Sequence, residues 1–424
     1  MKLLFMALGS RGDVEPFLAQ AALFDDSYEI MCIFPEQFRE EVEGLGYAFE
    51  GFPAEFLELL SSQTGKQVMG GQGGFIEKAK GYIKLMRSSM KLQRTIVEIQ
   101  KNTIDSFQPD RVMYHAKCLY GMFGGLVKPE KYIAVHAMPC LTHPSSKYPH
   151  IGFGKWNLTS SFWIKASYSF VNGVRRRMIK RFLGQYYSDY PEVDFSPSNF
   201  KRLEEQVQTT IYAISPSLFP KPEEWPDTAK IPGYLHRDQT TEYTPMEGLE
   251  TWLEKNPKAI LLTFGSMNNT RPKEISEIFV RLLSELKIPA IINTSWGGLE
   301  EVENAPDSIF FVNHIPYDYL MPKLYGVIHH GGSGTTHLTS YYSCVQLIIP
   351  HIIDQYFWNR LVSDRALGPK GISVHHLNEK KLKPLLIDFW NNETYAANAS
   401  DLASKMQNES SPDEVKEIIL NPKL

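Results

Sequence analysis

A chain of 424 residues is too long for one ordinary hydrophobic core, so two domains of roughly two hundred residues each are expected. With 43% hydrophobic and 22% charged residues and a formal net charge of −4, the composition is that of a globular protein and offers no basic surplus for nucleic acid. Cys32, Cys118, Cys140 and Cys344 stand singly, which implies neither a disulfide framework nor a zinc site, and no apolar run approaches the roughly twenty residues that cross a bilayer.

The opening run Leu3 to Leu8 is stopped by Gly9 and is too short for the core and cleavage site of a signal peptide, so a cytoplasmic location is expected. Strands are expected there and at Tyr28 to Phe34, Val112 to Tyr114 and Tyr132 to Val135, with helices after Val14 and around Phe38. Gly70 to Gly74 reads as a mobile loop, and a long helix follows from Phe75 to Phe107, interrupted or bent near Gly81. Five prolines between Pro216 and Tyr234 mark a linker. Strands then recur at Ala259 to Phe264, Ala290 to Asn293, Ile309 to Val312, Gly326 to His329 and Val345 to Ile349, and the pattern past Leu377 is helical. Strands alternating with helices predict an α/β protein with two parallel-sheet domains facing across a cleft. The expected division is 1–215, a linker at 216–234, 235–410, and a final helix in 411–424 that returns to the first domain.

The most informative stretch runs from Ile328 to Gln355 and contains H-H-G-G-S-G-T-T. It sets a glycine-rich turn between a buried strand and a helix, where Gly331, Gly332 and Gly334 allow backbone N–H groups close to an anion and the helix dipole favours negative charge. A diphosphate fits that turn, with His330 as a donor, and a tight turn without a ligand would look similar. After the next apolar run come Asp354 and Gln355, at the end of a strand where parallel sheets bind ligands.

H-H-G-G-S-G-T-T followed by P-H-I-I-D-Q-Y-F-W-N-R resembles the donor-binding region of the GT-B nucleotide-sugar glycosyltransferases of family 1, in the branch of sterol, antibiotic and other natural-product glucosyltransferases. The N-terminal M-A-L-G-S-R-G-D-V-E-P is similar to the loop after the first strand in the same branch, and L-T-F-G-S, S-W-G-G-L and V-N-H-I-P-Y-D-Y-L echo it between the two. The resemblance implies two Rossmann-like domains, UDP-glucose or a similar nucleotide sugar as donor, and an inverting transfer to a hydroxyl of a small lipophilic acceptor. It implies Asp13 as general base, and Ser10, Arg11, Gly12, Ser266, Trp296, His314, Ile315, His330, Gly332, Ser333, Gly334, Thr335, Asp354 and Gln355 as donor-binding residues. Within that set His314 and Ile315 would meet the base, the glycine turn the diphosphate, and Asp354 with Gln355 the sugar hydroxyls. No metal or other cofactor is expected, because Arg11, His330 and the helix N-terminus can meet the leaving diphosphate and no Asp-x-Asp pair is visible.

Several of these residues have a plainer reading. Asp13 can simply cap a helix beginning at Val14, Arg11 can be a solvated loop arginine, and Trp296 can be core. The chain departs from the plant pattern at Leu338, where a ribose-gripping Glu is usual, which leaves UDP against dTDP open. The segment Phe153 to Tyr187 mixes aromatic residues with Arg175, Arg176, Arg177, Lys180 and Arg181. It reads either as a helix pair with apolar inner and basic outer faces, or as a lipophilic pocket beside a surface that touches anionic membrane. A monomer or homodimer is expected. Alternatives to a transferase are a nucleotide-sugar epimerase or hydrolase on the same scaffold, which needs no acceptor, and a silent GT-B protein that binds nucleotide and activates a partner.

Overall fold

The computed structural model describes residues 1–53, 55, 75–156, 158–237, 243–265, 267, 269–409 and 411–422, with the side chains of 75–89 and Trp296 left aside. Gly70 to Gly74 therefore lie outside the described residues, as does Ser266. The chain forms two compact units, residues 1–236 with 410–424, and residues 237–409.

The first unit is built on a sheet of order β3-β2-β1-β4-β5-β6-β7, with every pairing parallel. Its strands are β1 (Lys2–Met6), β2 (Glu29–Pro35), β3 (Ala48–Phe52), β4 (Arg111–His115), β5 (Tyr132–His136), β6 (Thr210–Tyr212) and β7 (Ala229–Lys230). Both faces are covered, which is why β1 reads as an unbroken apolar run. Alternate residues serve opposite sides. Leu3 and Phe5 pack with Val14, Phe17 and Leu18 of helix α1 (Arg11–Ala21), whereas Leu4 and Met6 pack with Ile96, Val97 and Phe123. The C-terminal helix Pro412–Leu420 adds Val415, Ile418 and Ile419 to the Leu3 side.

The second unit carries a parallel sheet of order β10-β9-β8-β11-β12. Its strands are β8 (Ile260–Thr263), β9 (Ala290–Asn293), β10 (Ile309–Val312), β11 (Gly326–His329) and β12 (Val345–Ile348). Each sheet reverses its order once, between β1 and β4 in the first and between β8 and β11 in the second. Loops leaving the carboxyl ends of those strand pairs open onto the crevice where open α/β sheets bind ligands.

Three expectations are corrected. The proline-rich stretch 216–234 is not a linker but part of the first unit, because it contributes β7 and buries Phe219 and Trp225 against Tyr148 and Tyr212. Helix Phe75–Phe107 runs through Gly81 without interruption. The segment after Phe153 holds one long helix, α2 (Ser161–Leu183), rather than a pair. The short strands β3, β6 and β7 carry no usable periodicity in the sequence, two of them being three and two residues long.

Candidate active site

In the first unit, Gly9 ends the turn after β1 with φ +148° and Ser10 caps α1. The helix thus starts at Arg11, earlier than the expected Val14, and Asp13 lies inside its first turn instead of capping it. One carboxylate oxygen, Oδ2, accepts the Ser10 backbone N–H at 2.9 Å. The other, Oδ1, meets Lys117 Nζ at 3.0 Å and His115 Nε2 at 3.3 Å, both from the end of β4. The Asp13 side chain retains 13% exposure, so it is held from three directions and still reachable. Gly9 is required by this arrangement: a Cβ there would stand 1.9 Å from Asp13 Oδ2 and 2.9 Å from Lys117 Nζ.

Burial opposes ionisation of Asp13, yet Lys117, His115 and the Ser10 amide together hold its carboxyl below its ordinary value. It is a carboxylate at neutral pH. Burial pushes His115 down to about 4 against the pull of Asp13, so its imidazole is neutral. Its Nδ1 is buried without a partner, which assigns the ring proton to Nε2, facing Asp13. Neither His115 nor Lys117 was singled out in the sequence. Their signal, an H-x-K placed directly after a strand, is too common to find without the fold.

Arg11 is committed inside its own unit, to Glu15 at 3.0 Å and Glu41 at 2.7 Å. Gly12, within α1, has no atom within 4 Å of a notional Cβ. Behind the strand ends lies a buried polar cluster that the sequence did not suggest. Arg175, read as part of a basic outer face, instead turns inward from α2 to Glu204 at 2.9 Å and to Thr142, which also bonds His136 at 3.0 Å. Burial raises the Glu204 carboxyl although Arg175 pulls the other way. Arg175 Nε and His136 Nδ1 remain buried without partners at this small hollow, which Tyr114 also lines.

In the second unit, the loops after β8, β11 and β12 converge. His330 is 8% exposed and lies between two glycines: a Cβ on Gly332 would be 2.5 Å from its Nε2, and one on Gly265 2.9 Å from its Cε1. Burial holds His330 well below its ordinary value, so it is neutral and donates through one nitrogen only. Gly332 caps helix α3 (Ser333–Tyr341), whose first turn holds Ser333, Gly334 and Thr335, all half-buried. The turn is fastened by the neighbouring His329. Gly331 N–H donates to its Nδ1 at 3.2 Å, and its Nε2 donates to Gln346 Oε1 at 3.1 Å, an assignment that requires the neutral ring which burial provides.

Gln355 opens helix α4 (Gln355–Asp364), and its Oε1 accepts the backbone N–H groups of His351 and Ile352 at 2.7 and 3.0 Å. Its side chain therefore fixes the loop before it. Half-buried Asp354 stands at the helix cap, after exposed Ile353 at φ +24°. His314 is exposed and Ile315 buried beyond β10, beside the loop carrying Trp296, where Thr294 Oγ1 bonds Asn313 at 2.8 Å. Leu338 packs on the apolar cluster under β11, leaving no polar group at that position. Among the described residues, no group of three or more His, Cys, Asp and Glu side chains is gathered for a metal ion.

Residues 280–421 match the family described as erythromycin biosynthesis protein CIII-like, C-terminal domain. A sterol 3-beta-glucosyltransferase of Arabidopsis thaliana is 28% identical over 427 residues, covering 96% of this chain and 63% of that protein. The chain thus spans less than two thirds of the length of that relative. Among solved structures, the glycotransferase of kitacinnamycin superposes with a TM-score of 0.69 at 12% identity, covering 99% of this chain and 98% of that one. Glycosyltransferase VinC, solved in complex with dTDP, superposes with a TM-score of 0.64 at 15% identity, covering 99% and 98%. Two parallel-sheet units with loops gathered at both strand reversals have the fold of these GT-B glycosyltransferases, and the sequence is similar along nearly its whole length to that sterol glucosyltransferase.

Proposed function

We propose that the protein is an inverting glycosyltransferase that moves glucose, or a similar hexose, from UDP-sugar to a hydroxyl of a small lipophilic acceptor of the sterol, polyketide, terpenoid or aromatic class. The observation that supports it most is the Asp13 carboxylate, ionised, fixed by Ser10, His115 and Lys117, and partly exposed at the strand reversal of the first sheet. In this reading Asp13 takes the acceptor proton while the acceptor oxygen bonds the anomeric carbon from the face opposite the diphosphate, and the carbon–oxygen bond to diphosphate breaks. The base gains one proton, and UDP leaves with the bonding electrons.

The leaving charge falls to the α3 N-terminus and to one N–H of His330, held in place by Gly265, Gly332 and the His329 clasp. Asp354 orients the sugar, with the backbone of the loop that Gln355 fixes. The similarity to a plant sterol glucosyltransferase supports both the lipophilic acceptor and glucose, and the dTDP bound by VinC leaves the pyrimidine base to be measured. The test is a panel of sterols and polyketides incubated with UDP-glucose or dTDP-glucose and read by the mass gain of one hexose. Asp13→Asn is expected to lower turnover by at least about a hundredfold while donor binding by calorimetry stays unchanged. Hydrolysis or epimerisation of the donor without any acceptor product would replace this reading with the epimerase or hydrolase one.

A further inference from the structure

Helix α2 is apolar on two faces. Its inner face places Ile164, Tyr168, Ile179 and Leu183 in the protein. At the opposite side, Trp163, Phe170, Val174 and Met178 follow one another at helical spacing and point to solvent, with Trp163 59% and Phe170 63% exposed. The apolar surface continues beyond the helix, because Phe153 packs edge-to-face against both Phe170 and Trp156, itself 61% exposed. Large rings are seldom left in water as a contiguous group unless something covers them.

The charge pattern says what. The sequence S-F-W-I-K-A-S-Y-S-F-V-N-G-V-R-R-R-M-I-K-R-F-L holds six cations and no carboxylate, in a chain whose net charge is −4. Arg175 turns inward to Glu204, whereas Lys165, Arg177, Lys180 and Arg181 have no ion pair among the described residues. Arg181 borders a surface hollow shared with Lys91 and Arg94 of the long helix, and no acidic residue among the described ones lines it. From Trp163 to Arg181 the outward face extends about 27 Å at the α-helical rise.

We propose that this face of α2 is a docking surface for an anionic lipid bilayer, with the rings and Met178 entering the headgroup boundary and the cations meeting lipid phosphates. Aromatic rings flanked by arginine and lysine are the chemistry of a helix lying in a bilayer surface, the long cationic side chains reaching outward to the headgroups. A second copy is a poor occupant, because a two-fold contact sets this basic face against itself. Nucleic acid would satisfy the cations but gives Val174 and Met178 no apolar partner. No described helix is long and apolar enough to cross a membrane, so the contact is along the surface. The inference does not depend on the proposed transfer reaction.

Cosedimentation of the full chain with phosphatidylcholine vesicles, with and without about a third of phosphatidylglycerol, tests it. Binding to the anionic vesicles is expected to be at least tenfold tighter, to weaken in high salt, and to fall at least tenfold in both Trp163→Ser/Phe170→Ser and Arg177→Glu/Arg181→Glu. Circular dichroism and UDP binding, unchanged in the variants, would show that the fold is kept. Equal binding to neutral and anionic vesicles, no binding to either, loss of a wild-type dimer in the Trp163→Ser/Phe170→Ser variant, or capture of a polyuridine oligonucleotide in place of vesicles would each overturn the proposal.

Discussion

Two glycines three residues apart at the start of α1 should respond to alanine in opposite ways. At Gly9 the added Cβ would stand 1.9 Å from Asp13 Oδ2, and φ +148° is a conformation that alanine rarely adopts. The carboxylate has to retreat by at least about 1 Å to regain van der Waals contact, and misplacement on that scale costs roughly a hundredfold in turnover. Backbone strain adds about 1–3 kcal/mol of lost stability. At Gly12 the Cβ meets nothing within 4 Å, and the residue is helical, so alanine should stabilise by about 0.5–1 kcal/mol with turnover unchanged. Steady-state kinetics and thermal melts on Gly9→Ala and Gly12→Ala decide the matter, with donor affinity as the control for folding. Turnover within threefold of wild type in Gly9→Ala would refute the claim that Asp13 must occupy its observed position. A large loss in Gly12→Ala would mean that a ligand needs the space above that glycine.

The other predictions concern charge. His115, His150, His329, His337 and His351 are pushed by burial to about 4, and His143 to about 3, against an ordinary value of 6.5, so three of the six lie in each unit. Because the unfolded chain binds protons that these native rings refuse, stability is full above about pH 6.5 and falls as pH drops below it. At pH 5.5 each ring costs about 1.4 kcal/mol, or roughly 4 kcal/mol for these three in each unit, a large part of an ordinary margin of about 5–15 kcal/mol. Urea midpoints at pH 7.5 and 5.5 should show that fall, and equal midpoints would contradict it. Lys117→Met removes a cation that lowers the Asp13 carboxyl, so the acid limb of the pH–turnover profile should move to higher pH; an unmoved limb would remove Lys117 from the site's electrostatics. His329→Leu leaves Gly331 N–H and Gln346 without their partner, and should cost about 1–3 kcal/mol per unpaired group and weaken UDP binding in calorimetry. Wild-type UDP affinity in a folded variant would show that the clasp is not needed.

Apolar runs bounded by glycine or proline made β1, β8, β9 and β11 readable from the chain, because strands buried on both faces need no alternation to be recognised. The glycine turn was legible for a related reason: close backbone approach admits few other residues. What escaped was whatever depends on distant partners. His115 and Lys117 acquire meaning only because β4 pairs beside β1, and Arg175 turns inward only because Glu204 waits for it. The prolines of 216–234 misled because stiffness suits an edge strand and a docked aromatic pair as well as it suits a spacer. The place of Gln355 beyond a strand end was legible, but its carbonyl role inside the loop was not, since two acceptor bonds to the backbone leave no trace in the sequence.

The chain leaves the first unit near residue 236 and re-enters it at 410, so the second unit is an insertion between pieces of the first. During synthesis this imposes an order. The second unit is continuous and can complete itself as soon as residue 409 clears the ribosome. The first cannot, because Val14, Phe17 and Leu18 wait for Val415, Ile418 and Ile419 to close that side of the sheet. Until residues 412–420 are made, an apolar strip stays open on the earlier-made unit, and a nascent chain paused before them is a natural client for a chaperone. By the same logic, a tag or truncation at the far end of the chain would be felt in the unit that was translated first.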